Sequence, residues 1–226
     1  MNDAAMHVLR VTDLSGVLAN ALLGGVLARA RGFDLVGFAV LAVVSGLGGG
    51  IIRDILLQKG TPVALVDHTY VLTALVGAAV AFLVPIRGRA WERSFPVLDA
   101  LALGCWAAAG AQKALSLGLE WPAAIALGAI TAAGGGVVRD VLLRQVPAVF
   151  GGNTLYVTPA LLAAGTMVLF HAAGQVTAGL LVATGVGAGL TLLSHHQGWR
   201  LPAPPAWSGP VRLGRPRPAG TARDEG

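Results

Sequence analysis

Charge is what this sequence has least of. Only 12% of its 226 residues are Asp, Glu, Lys or Arg, about half the share in a typical soluble domain and too few to clothe a globule in water. A single cysteine, Cys105, excludes an intramolecular disulfide and a thiolate metal cluster. No Ser/His/Asp set and no paired-carboxylate arrangement is evident, and His195-His196 stands without acidic or cysteine company. The expectation is a protein that is not an enzyme and holds no metal and no cofactor. Gly46-Leu47-Gly48-Gly49-Gly50 looks like a dinucleotide loop only in isolation, because no strand and turn lead into it. The formal charge of +5 does not point to nucleic acid either. The basic residues gather at loop ends and in the carboxyl-terminal tail, where membrane orientation explains them.

What the chain has in abundance is apolar length and glycine. Hydrophobic residues make up 55% and glycines number 32, with a mean hydropathy of +0.71. Stretches long enough to cross a hydrocarbon core of about 30 Å fall at 11–28, 34–57, 67–85, 95–117, 122–143, 154–173 and 175–194. They predict an all-α polytopic membrane protein with seven transmembrane helices in a single domain over 1–200. The tail over 201–226, rich in Pro, Gly, Ala and Arg, cannot bury a core and is expected to be disordered and cytoplasmic. The first stretch looks like a signal peptide until Asp13 and Asn20 are noticed within it, and it is expected to stay in the mature protein. Trp91, Trp121 and Trp199, near stretch ends, read as anchors in the lipid interface.

Glycine is also where the sequence repeats itself. Gly48-Gly49-Gly50-Ile51-Ile52-Arg53-Asp54-Ile55-Leu56-Leu57 returns 86 residues later as Gly134-Gly135-Gly136-Val137-Val138-Arg139-Asp140-Val141-Leu142-Leu143, with seven of ten positions identical and three Ile-for-Val exchanges. That is a duplicated unit. The same offset pairs Asp13 with Asp99, Asp34 with Glu120, and Tyr70-Val71 with Tyr156-Val157. Two three-helix repeats follow, over about 8–86 and about 94–172, with a seventh helix at about 175–195 outside them. Three spans per unit is an odd number, so the second copy crosses in the opposite sense, as an inverted repeat. Gly179, Gly185, Gly187 and Gly189 predict close packing of the seventh helix. Arg29, Arg31, Arg87, Arg89, Arg93 and Arg144 all fall on the side away from the amino terminus. This places the amino terminus outside and the carboxyl terminus in the cytoplasm of a plasma-membrane protein.

Three consecutive glycines cost a helix about 1 kcal/mol each relative to alanine. Spans two and five are therefore expected to break or kink at Gly48, Gly49 and Gly50 and at Gly134, Gly135 and Gly136, with the freed backbone groups lining a wet pathway. Close helix crossing accounts for the same glycines equally well. An ionised side chain at this depth costs at least ~2.5–3.5 kcal/mol on insertion scales, which marks Arg53, Asp54, Arg139 and Asp140 as functional. Adjacent residues on a helix do not face each other, so each is expected to pair elsewhere. Asp13, Asp99, Asn20 and Lys113 are the polar groups on offer, and pairing that braces the fold stands beside direct contact with an ion. Lys113 has Leu27 as its counterpart; it reads as a gate or charge screen, or as a lysine reaching to the outer interface.

With these motifs in view, the chain resembles the trimeric intracellular cation channels in their prokaryotic branch. The likeness rests on the two Gly-Gly-Gly-x-x-Arg-Asp motifs, Gly48 to Asp54 and Gly134 to Asp140, on two inverted three-helix units plus one helix, and on Gly110-Ala111-Gln112-Lys113-Ala114. It covers about residues 8–196. It implies a homotrimer in the membrane, a pore through each subunit lined by the second and fifth helices, and potassium as the main permeant ion. Leu47 stands where animal members carry a lysine before the first motif, so phosphoinositide regulation is not expected to carry over. The leading function is a passive monovalent cation channel. A secondary transporter of a small solute such as an amino acid uses the same inverted repeat, and a structural membrane module whose glycines only pack is a third reading.

Overall fold

The computed structural model describes residues 3–150 and 155–201, and in them the backbone is helical apart from short connections. Helix α1 runs Asp3–Ala30, α2 Leu35–Leu57, α3 (a single turn) Val63–Val66, α4 His68–Leu83, α5 Arg89–Ser116, α6 Trp121–Leu142, α7 Val157–Ala172 and α8 Val176–Gln197. The tail read as disordered lies outside the described residues except for Leu201.

Five helices are long and apolar enough to cross a membrane: α1 from Arg10, α2, α5, α6 and α8. Helices α4 and α7, predicted as the spans 67–85 and 154–173, have 16 residues each. At 1.5 Å per residue that is about 24 Å, short of a full hydrocarbon core. The residues ahead of them are used differently. Gln58 (φ 50) and Arg144 (φ 56) turn in the left-handed region just past α2 and α6, and the chain folds back. Val63 N then donates to Asp54 Oδ2 at 2.9 Å and Ala148 N to Asp140 Oδ2 at 3.2 Å. Helix α4 begins only after Asp67, whose carboxylate accepts from Thr69 N as an amino-terminal cap.

Helices α1, α2 and α4 pack as one unit and α5, α6 and α7 as a second. Helix α2 meets α6 and α1 meets α5 between them, and α8 covers α5 and α7. Small residues make this possible: Ala21, Ala42 and Ala74 in one unit and Ala107, Ala111 and Ala163 in the other are completely buried, letting helix backbones approach closely in lipid. Large apolar side chains such as Val36, Val76, Leu162 and Leu169 face outward instead. In α8, a Cβ on Gly187 would sit 2.6 Å from Gly104 Cα and one on Gly179 2.5 Å from Phe170 Cβ, so these two pack closely as expected. Among the described residues, a Cβ on Gly185 or Gly189 would have nothing within 4 Å, and both face away from the other helices. Two arginines of the orientation count close helix ends: Arg29 Nη2 donates to Ala81 O at 2.9 Å and Arg31 Nη1 to Leu143 O at 2.8 Å, where a cation meets the negative end of the helix dipole.

The glycine triplets do not break their helices. Both α2 and α6 run as continuous α-helix through residues 48–50 and 134–136, which corrects the expectation of backbone groups set free there. At the first two positions of each triplet glycine is needed because the two helices cross there, while Gly50 and Gly136 meet only an arginine tip. A Cβ on Gly49 would lie 2.1 Å from Thr131 O, one on Gly135 2.7 Å from Ser45 O, one on Gly48 3.0 Å from Gly135 Cα and one on Gly134 3.1 Å from Gly49 Cα. These contacts are reciprocal. Gly48 against Gly135 is matched by Gly134 against Gly49, and Gly49 against Thr131 by Gly135 against Ser45. A two-fold axis imposes such an exchange, so the duplication is also a pseudo-two-fold centred on Gly49 and Gly135.

Candidate functional site

Two cavities flank the α2–α6 crossing. One, of about 70 Å³, is lined by Asp13, Gly50, Arg53, Asp54 and Tyr70. The other, of about 150 Å³, is lined by Asp99, Gly136, Arg139, Asp140 and Tyr156. Each residue of the second set stands 86 positions after its counterpart in the first, so the cavities are pseudo-symmetric copies. Of the remaining motif glycines, Gly49 and Gly135 also line the smaller cavity, while Gly48 and Gly134 meet the backbone of the opposite helix.

Helices α1 and α5 supply a carboxylate each. Tyr70 Oη donates to Asp13 Oδ2 at 2.5 Å and Tyr156 Oη to Asp99 Oδ1 at 3.4 Å. The second donor comes from the other unit: Trp106 Nε1 reaches Asp13 Oδ1 at 2.7 Å, and Asn20 Nδ2 reaches Asp99 Oδ1 at 3.2 Å. Asn20 and Trp106 occupy corresponding positions of the two repeats, so each unit holds the other's carboxylate. All four donors are neutral. They orient the carboxylate without cancelling a charge on it.

The Arg-Asp motifs behave differently. Arg53 Nε donates to Asp54 Oδ1 at 2.7 Å, and Arg139 donates to Asp140 Oδ1 through Nε at 2.9 Å and Nη2 at 2.8 Å. Sequence neighbours therefore pair with each other, which corrects the expectation that they would look elsewhere. Their Cβ atoms diverge around the helix, but the guanidinium on its long stem folds across. The buried carboxylates, 5% exposed at Asp54 and 7% at Asp140, are strong acceptors within its reach. Lys113 adds a further donor to Asp54, Nζ to Oδ1 at 2.7 Å, with its side chain 31% exposed. Leu27, in the corresponding place, cannot do the same for Asp140. The asymmetry visible in the sequence is thus an ion pair beside one cavity only.

The structure brings Asp13, Arg53 and Asp54 together in one cavity and Asp99, Arg139 and Asp140 in the other. It adds Tyr70, Tyr156, Trp106 and Ser45, which sequence reasoning did not place at the site. The tyrosines could have been found, being the only two in the chain and one repeat apart. Ser45 and Trp106 give no such signal, since their role depends on which helices cross. Among the described residues no group of three His, Cys, Asp or Glu could hold a metal ion.

Comparison with known proteins agrees with this architecture. A family model described as glycine transporter matches the chain twice, over residues 10–85 and 96–172, once per three-helix unit. A UPF0126 membrane protein of Deinococcus radiodurans is 39% identical over 174 residues, which are 74% of this chain and 81% of that protein. Among solved structures, a TRIC cation channel superposes with a TM-score of 0.82 at 29% identity, covering 88% of this chain and 98% of that one. The TRIC trimeric intracellular cation channel orthologue from Rhodobacter sphaeroides does so with a TM-score of 0.73 at 32% identity, covering 84% and 96%. The fold is that of these membrane channels, not of an enzyme.

Proposed function

The chain belongs to the UPF0126 family of membrane proteins and carries the glycine-transporter unit twice; on that footing we propose that it is a passive channel for monovalent cations, mainly potassium. Each subunit of a homotrimer has its own pathway. The observation that carries this reading is the pair of cavities on either side of the α2–α6 crossing, each with a carboxylate oriented by neutral donors. Such a group in a cleft of low dielectric favours a cation over an anion. The Arg139–Asp140 pair neutralises itself, whereas Arg53 and Lys113 share Asp54, an excess positive charge that offsets Asp13 and leaves Asp99 as the uncompensated carboxylate. The glycines serve the pathway by letting α2 and α6 cross without side chains between them. Trimeric assembly rests on the likeness to the TRIC channels. The distribution of arginines puts the amino terminus outside and the carboxyl terminus in the cytoplasm, with α4 and α7 completing seven crossings of the plasma membrane.

The test is the purified protein in a planar bilayer under a potassium chloride gradient. Unitary currents reversing near the potassium equilibrium potential are expected; reversal near that of chloride, or no current, refutes the reading. A second reading is a carrier of a small zwitterion such as glycine. It is favoured by the description of the matching family model and by the presence of a carboxylate and a guanidinium in one cavity. Saturable uptake of labelled glycine into proteoliposomes without unitary currents would establish it.

A further inference from the structure

Ser45 of α2 and Trp106 of α5 line both cavities, so the junction between them runs past these two side chains. Trp106 is held by its hydrogen bond to Asp13. Ser45 is 2% exposed, and among the described residues its Oγ is the one buried side-chain nitrogen or oxygen without a hydrogen-bond partner. Other hydroxyls in these helices solve that problem locally: Thr73, Thr131, Thr166, Thr184 and Thr191 each donate to the carbonyl four residues earlier. Thr131 is the counterpart of Ser45 in the second repeat, and its Oγ1 is turned into its own helix, 2.6 Å from Leu127 O. Ser45 Oγ lies against Gly24 of α1 as Thr131 Oγ1 lies against Gly110 of α5, and it departs from its symmetry mate only in the missing hydrogen bond. A buried polar atom without a partner calls for an explanation, and between two polar cavities a passing water or ion supplies one. The backbone offers little here, because α2 and α6 stay helical through the crossing and their carbonyls remain engaged in the helical ladder.

We propose that Ser45 is the coordinating residue at the junction of the two cavities: its hydroxyl oxygen replaces one water in the shell of a monovalent cation moving between them, with Trp106 as the facing wall. This rests on the channel reading above.

Two measurements test it. Ser45→Ala removes one oxygen. It is expected to elute as the wild-type protein does, to lower the unitary potassium conductance about three-fold or more, and to change the potassium-to-sodium permeability ratio. In a Cys105→Ala background and chloride-free solution, Ser45→Cys is expected to make the current irreversibly sensitive to silver ion, a thiol-seeking monovalent cation, while Cys105→Ala alone stays insensitive. Unchanged conductance and permeability in Ser45→Ala, or no silver block of a conducting Ser45→Cys channel, overturns the proposal and leaves the channel reading standing. If Ser45→Cys does not fold, Ser45→Ala decides alone. Absence of cation current from the wild-type protein removes the channel reading and this proposal with it.

Discussion

Asp13 and Asp99 each accept two hydrogen bonds, one from a tyrosine of their own three-helix unit and one from the other unit. Their presence inside apolar spans was legible in the sequence, but their donors were not, because Asn20 and Trp106 reach across the repeat boundary. Replacing Asp99 with asparagine keeps an acceptor for Asn20 and Tyr156 and removes the charge. A unit charge at 4 Å exerts about 4 kcal/mol at an effective dielectric of 20, so a ten-fold loss of cation-over-anion permeability, about 1.4 kcal/mol, is a conservative expectation. The reversal potential under a potassium chloride gradient measures it; an unmoved value would place selectivity elsewhere. Lys113→Leu installs the residue that the first repeat carries at this position. Asp54 keeps Arg53 and Val63 as donors and Lys113 is partly exposed, so stability is expected to fall by about 1 kcal/mol or less. The current–voltage curve is expected to become more symmetric, read in the same bilayers.

At the scale of elements, α2 and α6 are defined by where they cross. Gly49→Ala would drive a Cβ to 2.1 Å from the Thr131 carbonyl, which can yield only if α6 moves. A loss of about 1–3 kcal/mol is expected from such overpacking, with loss of current, and Gly135→Ala against Ser45 O should behave alike. Gly50→Ala meets only the Arg53 guanidinium, at 3.9 Å, and Gly185→Ala meets nothing within 4 Å. Both are expected to be neutral or to gain up to about 1 kcal/mol of helix propensity. Thermal unfolding in detergent ranks the four, and equal loss at Gly49 and Gly50 would show that the crossing is not what requires glycine. The helices themselves were readable from apolar length. Whether glycine marks a break or a crossing was not, since both call for the smallest side chain and only the neighbouring backbone distinguishes them. Helices α4 and α7 were readable too, within 67–85 and 154–173; hidden was the turn of the residues ahead of them back to Asp54 and Asp140, a fold-back that hydropathy does not register.

The whole molecule is two copies of one unit joined at Gly49 and Gly135, with α8 added to the second. An odd number of crossings per unit would make the copies antiparallel in the membrane, and whether the total count is odd has a direct check. Alkaline phosphatase fused to the amino terminus should be active and a fluorescent protein at the carboxyl terminus should be bright, each reporter working only on its own side. Both termini on one side would mean an even number of crossings and would remove α4 or α7 from the spans.

By itself the sequence determined that this chain belongs in lipid, that it is built twice, and that Arg53, Asp54, Arg139 and Asp140 sit where charge is costly. Hydropathy and identity at a fixed offset are properties of the linear chain. Only the tertiary structure decided that the glycine triplets join helices instead of breaking them and that each arginine turns back on its own aspartate. It alone decided that Asn20 and Trp106 hold the opposite unit's carboxylate and that Ser45, between two cavities, has no hydrogen-bond partner among the described residues. The physical reason is common to all four. Hydrogen bonds and steric contacts act over a few ångströms, and which atoms come that close is set by how helices distant in the chain pack against one another.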